Sequence, residues 1–410
     1  MSVEALKYLL IGVLLFGFLL NQILDFLNVK NPASKIPKTL EGYLSQEKLD
    51  QARSYQRENF RFKLLVGIVS FVLTFLLIYQ GWLGAVDNWV AGFGLGSVAQ
   101  ALVFFGILFL ASDILGLPVE YYSTFVIEEK YGFNKTTLGT FFADKIKGYV
   151  LGIVIGGGLL LLFLWLIDRM GEDFWWQFWI VAAALMVLIN LLYTSLILPL
   201  FNKLTPLEDG ELKQKILEYA RVVDFSLDNI FVMDGSKRSA KANAFFSGLG
   251  KRKKVVLYDT LIEQHSEDEL IAVLAHEVGH FKKKHIVLGM VISVIQVGLM
   301  LFLLGQFVFS ENISLALGGD SMAVELNIIG FAMLFSPIST VLGIGMNWLS
   351  RKNEFEADEF AKTTFAGVPL AHALKTLSVK SLSNTNPHPW YVFVNYSHPP
   401  LLERLERLES

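Results

Sequence analysis

The most prominent pattern along the chain is a series of long apolar blocks separated by polar segments. Each block is about twenty residues long, the length that an α-helix needs to cross a bilayer. Seven blocks meet this test, at roughly 5–27, 64–83, 98–117, 149–167, 175–200, 286–309 and 327–349. The sequence therefore predicts a mostly α-helical, multi-pass membrane protein with seven transmembrane helices, the first of them retained as a membrane anchor.

The distribution of lysine and arginine predicts how these helices are oriented. The loops at 28–63 and 118–148 are rich in basic residues, whereas the loops at 84–97 and 310–326 contain none. Basic loops stay on the cytosolic side of a membrane, and here basic and non-basic loops alternate as seven crossings require. The pattern places the N-terminus outside and the C-terminus in the cytosol.

Two stretches are polar enough to fold outside the lipid, and both fall on the cytosolic side by the charge rule. The chain then divides into helices 1–5 (residues 1–200), a first cytosolic segment (201–285), helices 6–7 (286–349) and a second cytosolic segment (350–410). We expect the two cytosolic segments to pack together as one small α+β domain.

Local patterns predict the elements of the first cytosolic segment. An amphipathic helix is expected at 210–222, and short β-like runs follow at 229–234, 243–247 and 254–258, with a hairpin turn at 248–253. The sequence Ser266-Glu-Asp-Glu269 is a capping box, so a helix should begin at Glu267 and continue to His280.

Composition and charge narrow the chemistry. The chain has no cysteine, so a metal would have to be held by His, Asp or Glu. The net charge is −3, which gives no support for nucleic-acid binding. The lipid bilayer is the one partner that the composition itself predicts.

The motif His276-Glu277-Val278-Gly279-His280 is the strongest chemical signal. Residues i and i+4 lie on one face of a helix, so His276 and His280 can bind one Zn²⁺. Glu277 can then address a water whose pKa the cation lowers to about 7. The alternative is an amphipathic surface helix with two solvated histidines.

A third protein ligand is needed for a catalytic zinc site, and residues 350–410 offer one. Glu354 and Asp358 are again four residues apart on a predicted helix. Glu354 can ligate the metal, and Asp358 can accept the ring N–H of a ligand histidine. The sixth and seventh helices form a hairpin, so Glu354 returns to the membrane face of His280. The alternative is a solvated acidic helix face, and Glu356 is predicted to be only that.

Two further segments are consistent with a peptidase. Asn243, Ala244 and Phe245 lie in a β-like run that precedes the motif helix, where an edge strand could pair with an extended peptide; a core strand is the alternative. Tyr396, His398 and Arg404 could stabilise an oxyanion, and Tyr396 and Arg404 are also predicted to bind substrate; the alternative is a turn before a helix. The remaining histidines are predicted to lie on the surface, namely His265, His285, His372 and His388.

Together these motifs resemble the integral-membrane CaaX prenyl proteases of the zinc metallopeptidase kind. The resemblance covers most of the chain and rests on the segments 122–134, 198–206, 243–246, 256–261, 276–280, 351–358 and 396–400. Several long motifs stand in the family's order, with no departure in the metal motifs.

The resemblance implies seven helices that enclose a chamber, closed on its cytosolic side by a gluzincin-like zinc domain. It implies one Zn²⁺ per chain held by His276, His280 and Glu354, with Glu277 as general base and acid. It places His398 near the oxyanion, and Asn243 and Ala244 on the strand that binds the peptide or protein substrate. In eukaryotic relatives that substrate is a prenylated CaaX peptide.

Nothing in the sequence is specifically eukaryotic, and we interpret the chain as a protein of the bacterial inner membrane. There, quality control of membrane proteins is the expected role. Two other functions stay open at this point. One is a non-enzymatic transporter or chaperone-like scaffold with a structural zinc site, and the other is a metal-dependent hydrolase that acts on a non-peptide bond.

Overall fold

The computed structural model describes residues 1–30, 35–227, 229–247 and 254–410. Most of these residues are helical. The helices are α1 (Val3–Lys30), α2 (Gln46–Tyr79), α3 (Trp82–Ala91), α4 (Ser97–Tyr122), α5 (Leu138–Leu151), α6 (Gly158–Met170), α7 (Phe174–Leu192), α8 (Leu198–Phe201), α9 (Glu211–Val222), α10 (Asp259–Gln264), α11 (Glu267–Lys282), α12 (His285–Phe307), α13 (Glu311–Ala316), α14 (Val324–Thr364), α15 (Gly367–Lys380), α16 (Pro389–Asn395) and α17 (Leu401–Glu409). Wider π-helical turns at Ser123–Glu128, Gly152–Gly157 and Tyr193–Ile197 continue α4, join α5 to α6 and join α7 to α8.

Six helical runs among the described residues are long and apolar enough to cross a membrane. The fourth run, Leu138–Phe201, is 64 residues long and contains two of the predicted blocks. It folds back on itself at Gly171, whose φ is 59°. The rings of Phe163 and Phe178 on either side are 4.7 Å apart, whereas a straight helix would separate these residues by about 22 Å.

The last apolar helix extends well beyond the predicted block. Helix α14 continues without interruption for 41 residues, so the predicted seventh block and the acidic segment with Glu354 and Asp358 are one element. No glycine or proline lies between Asn347 and Thr364 to end the helix at the membrane boundary. A single rigid helix therefore fixes these carboxylates relative to the apolar helices.

The described β-structure is a four-stranded sheet with the order β1-β2-β4-β3. Its strands are β1 (Leu204–Pro206), β2 (Asn229–Met233), β3 (Ala244–Ser247) and β4 (Lys254–Tyr258). Strands β2 and β4 are parallel, and the other two pairs are antiparallel. The three predicted strands are present, β1 was not predicted, and the predicted turn at 248–253 lies outside the described residues. Strand β3 is at the edge of the sheet.

The core of the polar part contains residues from both predicted cytosolic segments. Ile216 of α9, Leu257 of β4 and Leu270 of α11 are buried in one cluster with Leu370 of α15 and Leu405 of α17. Leu40, Leu44 and Leu49 from the first basic segment join the same cluster. The α+β unit is therefore assembled from three distant parts of the sequence.

Candidate metal centre

Helix α11 presents the His-Glu-x-x-His motif from a firmly anchored position. Its first turn is closed by the predicted capping box, in which Ser266 accepts from the Glu269 backbone and the Glu269 side chain returns to the Ser266 backbone. Leu270, Leu274 and Val278 recur every four residues and are buried, as expected for one apolar face of a helix. This packing fixes the rotation of the helix.

Gly279 allows α11 to approach α14 closely at the motif. A Cβ atom placed on Gly279 would lie 3.1 Å from Ala357 Cα and 3.1 Å from Phe360 Cβ, and 3.2 Å from the Ala357 carbonyl oxygen. Such contacts are tighter than normal van der Waals packing and involve backbone atoms, which yield little. The missing side chain therefore brings both histidines within reach of the carboxylates on α14.

His276, His280 and Glu354 converge on one point. The Nε2 atoms of the two histidines are 3.1 Å apart. His276 Nε2 lies 3.4 Å from Glu354 Oε2, and His280 Nε2 lies 3.3 Å from Glu354 Oε1. The edge of a tetrahedron with ligand bonds of about 2.0–2.1 Å is roughly 3.3–3.4 Å. The three side chains are therefore spaced as ligands of one tetrahedral cation.

The hydrogen bonding of Glu354 also fits a metal. Glu354 is buried, and its Oε2 atom has no hydrogen-bond partner among the described residues. A buried carboxylate oxygen that accepts no hydrogen bond is costly in an apolar environment, even with the charge of Arg404 3.4 Å away. A cation between the histidines and Glu354 would remove that cost, so the residues present fit the zinc ion that the sequence predicts.

Asp358 and Arg404 lie behind the three predicted ligands. Asp358 Oδ1 is 2.9 Å from Nδ1 of His276. Arg404 of α17 donates through Nε and Nη2 to the two oxygens of Asp358, at 2.8 and 2.6 Å. Its Nη1 lies 3.4 Å from Glu354 Oε2. Arg404, predicted from the sequence to bind substrate, is thus buried against the carboxylates of α14.

The electrostatics of the site favour a cation. Burial alone would lower the pKa of His276, but the adjacent carboxylates of Asp358 and Glu354 raise it to about 9. Burial raises the pKa of the Glu277 carboxyl, which the two histidines partly offset. A raised pKa makes a carboxylate a stronger base, as suits a group that accepts a proton and later returns it.

His398 lies at the open side of the site. Its Nε2 atom is 3.4 Å from Glu354 Oε1, and its side chain is 64% exposed. Together with Tyr396 and Arg404 it lines a cavity of about 500 Å³ that extends to Lys241 and Ala242. The structure therefore brings all three C-terminal candidates to one cavity beside Glu354.

The predicted substrate strand is an edge strand in the structure. Strand β3 hydrogen-bonds only to β4 within the described sheet, which leaves its other edge unpaired by a strand. Asn243 is exposed, and its Oδ1 accepts from the Ala244 backbone at 2.9 Å. The ring of Phe245 lies 6.4 Å from that of Tyr193, next to α7. The edge of the sheet formed by β3 therefore lies next to the apolar helices.

Three predictions about surface residues are wrong. His285 is buried rather than on the surface, and its Nδ1 lies 3.1 Å from Nδ1 of His280. Glu356 is not merely solvated, because its Oε2 lies 3.4 Å from His285 Nε2. Side chains five residues apart do not lie on one face of a helix. The helical spacing in the sequence therefore gave no indication that His280 and His285 would be in contact. The side chain of His265 is also buried, against Glu269.

Comparison with known families agrees with this geometry. Residues 25–203 match the family described as "CAAX prenyl protease N-terminal, five membrane helices". Residues 206–410 match peptidase family M48. The chain belongs to peptidase family M48. Together the two matches cover nearly the whole of this M48 peptidase. The boundary between them lies after α8, where the sheet begins.

Individual relatives resemble this M48 peptidase over most of their length. CAAX prenyl protease 1 of Saccharomyces cerevisiae is 37% identical over 402 residues, covering 92% of this chain and 89% of the yeast protein. A homologue from Oryza sativa is 36% identical over 387 residues, covering 92% and 90%. The crystal structure of S. mikatae Ste24p superposes with a TM-score of 0.93 at 34% identity, covering 99% of each chain.

These findings confirm the predicted enzyme class. This M48 peptidase is an integral, multi-pass membrane metalloprotease. The non-enzymatic transporter or scaffold is not favoured, because relatives that align with about nine-tenths of this chain carry protease names.

Proposed function

We propose that this M48 peptidase is a zinc endopeptidase that cleaves peptide bonds near the C-terminus of membrane-associated substrates. The observation that carries the proposal is the tetrahedral spacing of His276, His280 and Glu354 beside Glu277. The relatives' names, CAAX prenyl protease 1, supply the substrate class, a prenylated CaaX peptide. Membrane proteins undergoing quality control are the other substrates we propose.

His276, His280 and Glu354 would hold one zinc ion, with a fourth position open to solvent. When bound, zinc acidifies a water molecule and polarises the scissile carbonyl group. Glu277 accepts the proton of the attacking water on its carboxylate and delivers it to the leaving amine. Burial raises the pKa of Glu277, which makes its carboxylate a stronger base.

Asp358 and Arg404 hold His276 in position from the side of its ring that faces away from the metal position. Asp358 lies against the outer ring nitrogen of His276, and Arg404 fixes both oxygens of Asp358. Because Arg404 is buried in these contacts, we assign it to this positioning role and not to substrate binding. His398, exposed at the opening, is the residue that donates a hydrogen bond to the developing oxyanion.

The exposed edge of β3 aligns the substrate. An extended peptide can add to an edge strand through main-chain hydrogen bonds, and β3 offers such an edge from Asn243 onward. The position of Phe245 beside Tyr193 puts the strand next to the apolar helices. A lipid attached to the peptide would therefore have apolar surface within reach of the bound strand. Tyr396 lines the adjacent cavity and would contact the peptide.

The membrane topology that supports this function has seven crossings around a chamber. The run Leu138–Phe201 supplies two of them, since it folds back at Gly171. The loop charges place the N-terminus outside and the zinc domain in the cytosol, and the bacterial inner membrane stays our prediction for the compartment. Accessibility labelling of single cysteines, in a chain that has none of its own, tests the orientation. Labels at residues 91 and 320 should react only from outside, and a label at 410 only from the cytosol.

The central experiment compares wild-type protein with Glu277→Gln on peptides with and without a prenyl group. Glu277→Gln should retain zinc and lose cleavage, because the amide cannot accept the proton. Glu359→Gln, an exposed change on α14, is the matched control and should cleave normally. Normal turnover by Glu277→Gln would refute the assigned role, and equal cleavage of both peptides would refute prenyl recognition.

A further inference from the structure

The metal centre has a second layer of contacts around the outer nitrogen of His280. The Nε2 atom of this ring lies toward His276 and Glu354, whereas its Nδ1 lies 3.1 Å from Nδ1 of His285. The two ring centroids are 5.2 Å apart and the rings are nearly perpendicular, at 74°. His285 is buried, so this contact is protected from solvent.

The chain reaches this arrangement through a tight reversal between two helices. Helix α11 ends at Lys282, and Lys284 adopts a left-handed conformation with φ of 60°. Helix α12 then begins at His285. The reversal returns the first residue of α12 to the end of α11, which is why a histidine five positions after His280 can meet it. Non-glycine residues adopt such a φ at an energetic cost, which the surrounding structure has to offset.

The tautomers of both rings follow from ligation by His280. A metal takes the lone pair of Nε2, so the proton of a neutral His280 is on Nδ1, which must donate. His285 Nδ1 then accepts, and the proton of His285 is on Nε2. That atom lies 3.4 Å from Glu356 Oε2. Donors and acceptors therefore alternate from His280 through His285 to the carboxylate of Glu356.

We infer that His285, supported by Glu356, is a positioning residue that holds the ligand His280 in its metal-binding tautomer and orientation. The inference rests on the proposed zinc ligation by His280. Partners of a ligand's second ring nitrogen typically change metal affinity 10–100-fold when removed. Glu356 contributes less than His285, because its contact is long for a hydrogen bond and its side chain is 38% exposed.

The test measures zinc affinity of the full-length protein by competition with a chelator of known affinity, so it does not depend on cleavage. His285→Val removes the acceptor and should weaken zinc binding about 10–100-fold. His285→Asn places an amide oxygen near the position of Nδ1 and should retain most of the affinity. Cleavage by His285→Val should recover when zinc is supplied in excess, because the substitution changes neither a zinc ligand nor Glu277.

A matched control lies just before the first residue of the motif helix α11. His265 is also a buried histidine in contact with a carboxylate, with Nδ1 2.9 Å from Glu269 Oε2, but at the opposite end of α11. His265→Asn should leave zinc affinity unchanged, and His276→Ala should abolish it. Glu356→Gln should weaken it less than tenfold, below the usual range for such partners.

The outcomes separate this inference from the proposed function. Wild-type affinity in His285→Val, beside a full loss in His276→Ala, overturns the inference alone. Equal losses in His285→Asn and His285→Val also overturn it, because packing and not an accepted hydrogen bond would then set the affinity. If His276→Ala leaves zinc binding unchanged, the ligand assignment fails, and both proposals fail with it.

Discussion

The buried pair of Arg404 and Asp358 gives a prediction whose size can be worked from the structure. Arg404 is 7% exposed and Asp358 2% exposed, and two hydrogen bonds of 2.8 and 2.6 Å join them. Arg404→Met retains much of the volume of the side chain but removes the guanidinium that is hydrogen-bonded to both oxygens of the buried Asp358, which keeps only the ring of His276 beside it. Removing one member of a buried ion pair costs about 3–5 kcal/mol.

This loss should appear as a shift in thermal unfolding. For a folded unit of about 150 residues, 1 kcal/mol corresponds to roughly 2–4 °C, so Arg404→Met should lower the unfolding temperature by roughly 6–20 °C. The assay follows unfolding of purified protein in lipid nanodiscs, with chelator present so that zinc binding does not contribute. Unfolding temperatures should be compared at one fixed scan rate, because they depend on the scan rate when unfolding is irreversible.

A control and a double variant sharpen the result. Arg407, three residues further along α17, stacks over the ring of Phe355 at 3.5 Å and is exposed, so Arg407→Met should shift unfolding far less. Arg404→Met combined with Asp358→Leu should be less destabilised than the two single changes predict together, because neither Arg404 nor Asp358 is then left without the other. An unfolding temperature for Arg404→Met equal to that of Arg407→Met would refute this account of the pair.

Other changes test neighbouring parts of the account. Gly279→Ala should weaken zinc affinity at least tenfold, because the added Cβ would meet Ala357 and Phe360 at 3.1 Å and separate α11 from α14; unchanged affinity on chelator competition would contradict the close approach. His398→Phe should lower kcat about 10²–10³-fold with zinc content unchanged, as expected for the loss of an oxyanion donor. A change in KM alone, measured over a range of peptide concentrations, would instead assign His398 to substrate binding.

The sequence predicted the type of fold because each membrane helix carries its own local signal. Apolar length located the helices, and the capping box located the start of α11. Local patterns could not predict the lengths of those helices and strands that depend on packing outside the lipid. Helix α14 continues to Thr364 because its second half is buried against α11, and β1, only three residues long and ending in Pro206, is held by pairing with β2.

Helical spacing predicted those parts of the site whose residues lie on a single helix. His276 with His280, and Glu354 with Asp358, each share a face of one helix, and the hairpin of apolar helices between them brings the pairs together. Contacts between distant segments were beyond this reasoning. The bond between Arg404 and Asp358 spans 46 residues, and the meeting of His285 with His280 depends on the left-handed Lys284.

The zinc content of purified protein tests the central claim most directly. Metal analysis after removal of loosely bound ions should find about one zinc per chain in wild type and in Glu277→Gln, and close to none in Glu354→Ala. Full zinc content in Glu354→Ala would contradict the convergence of the two helices on a single cation.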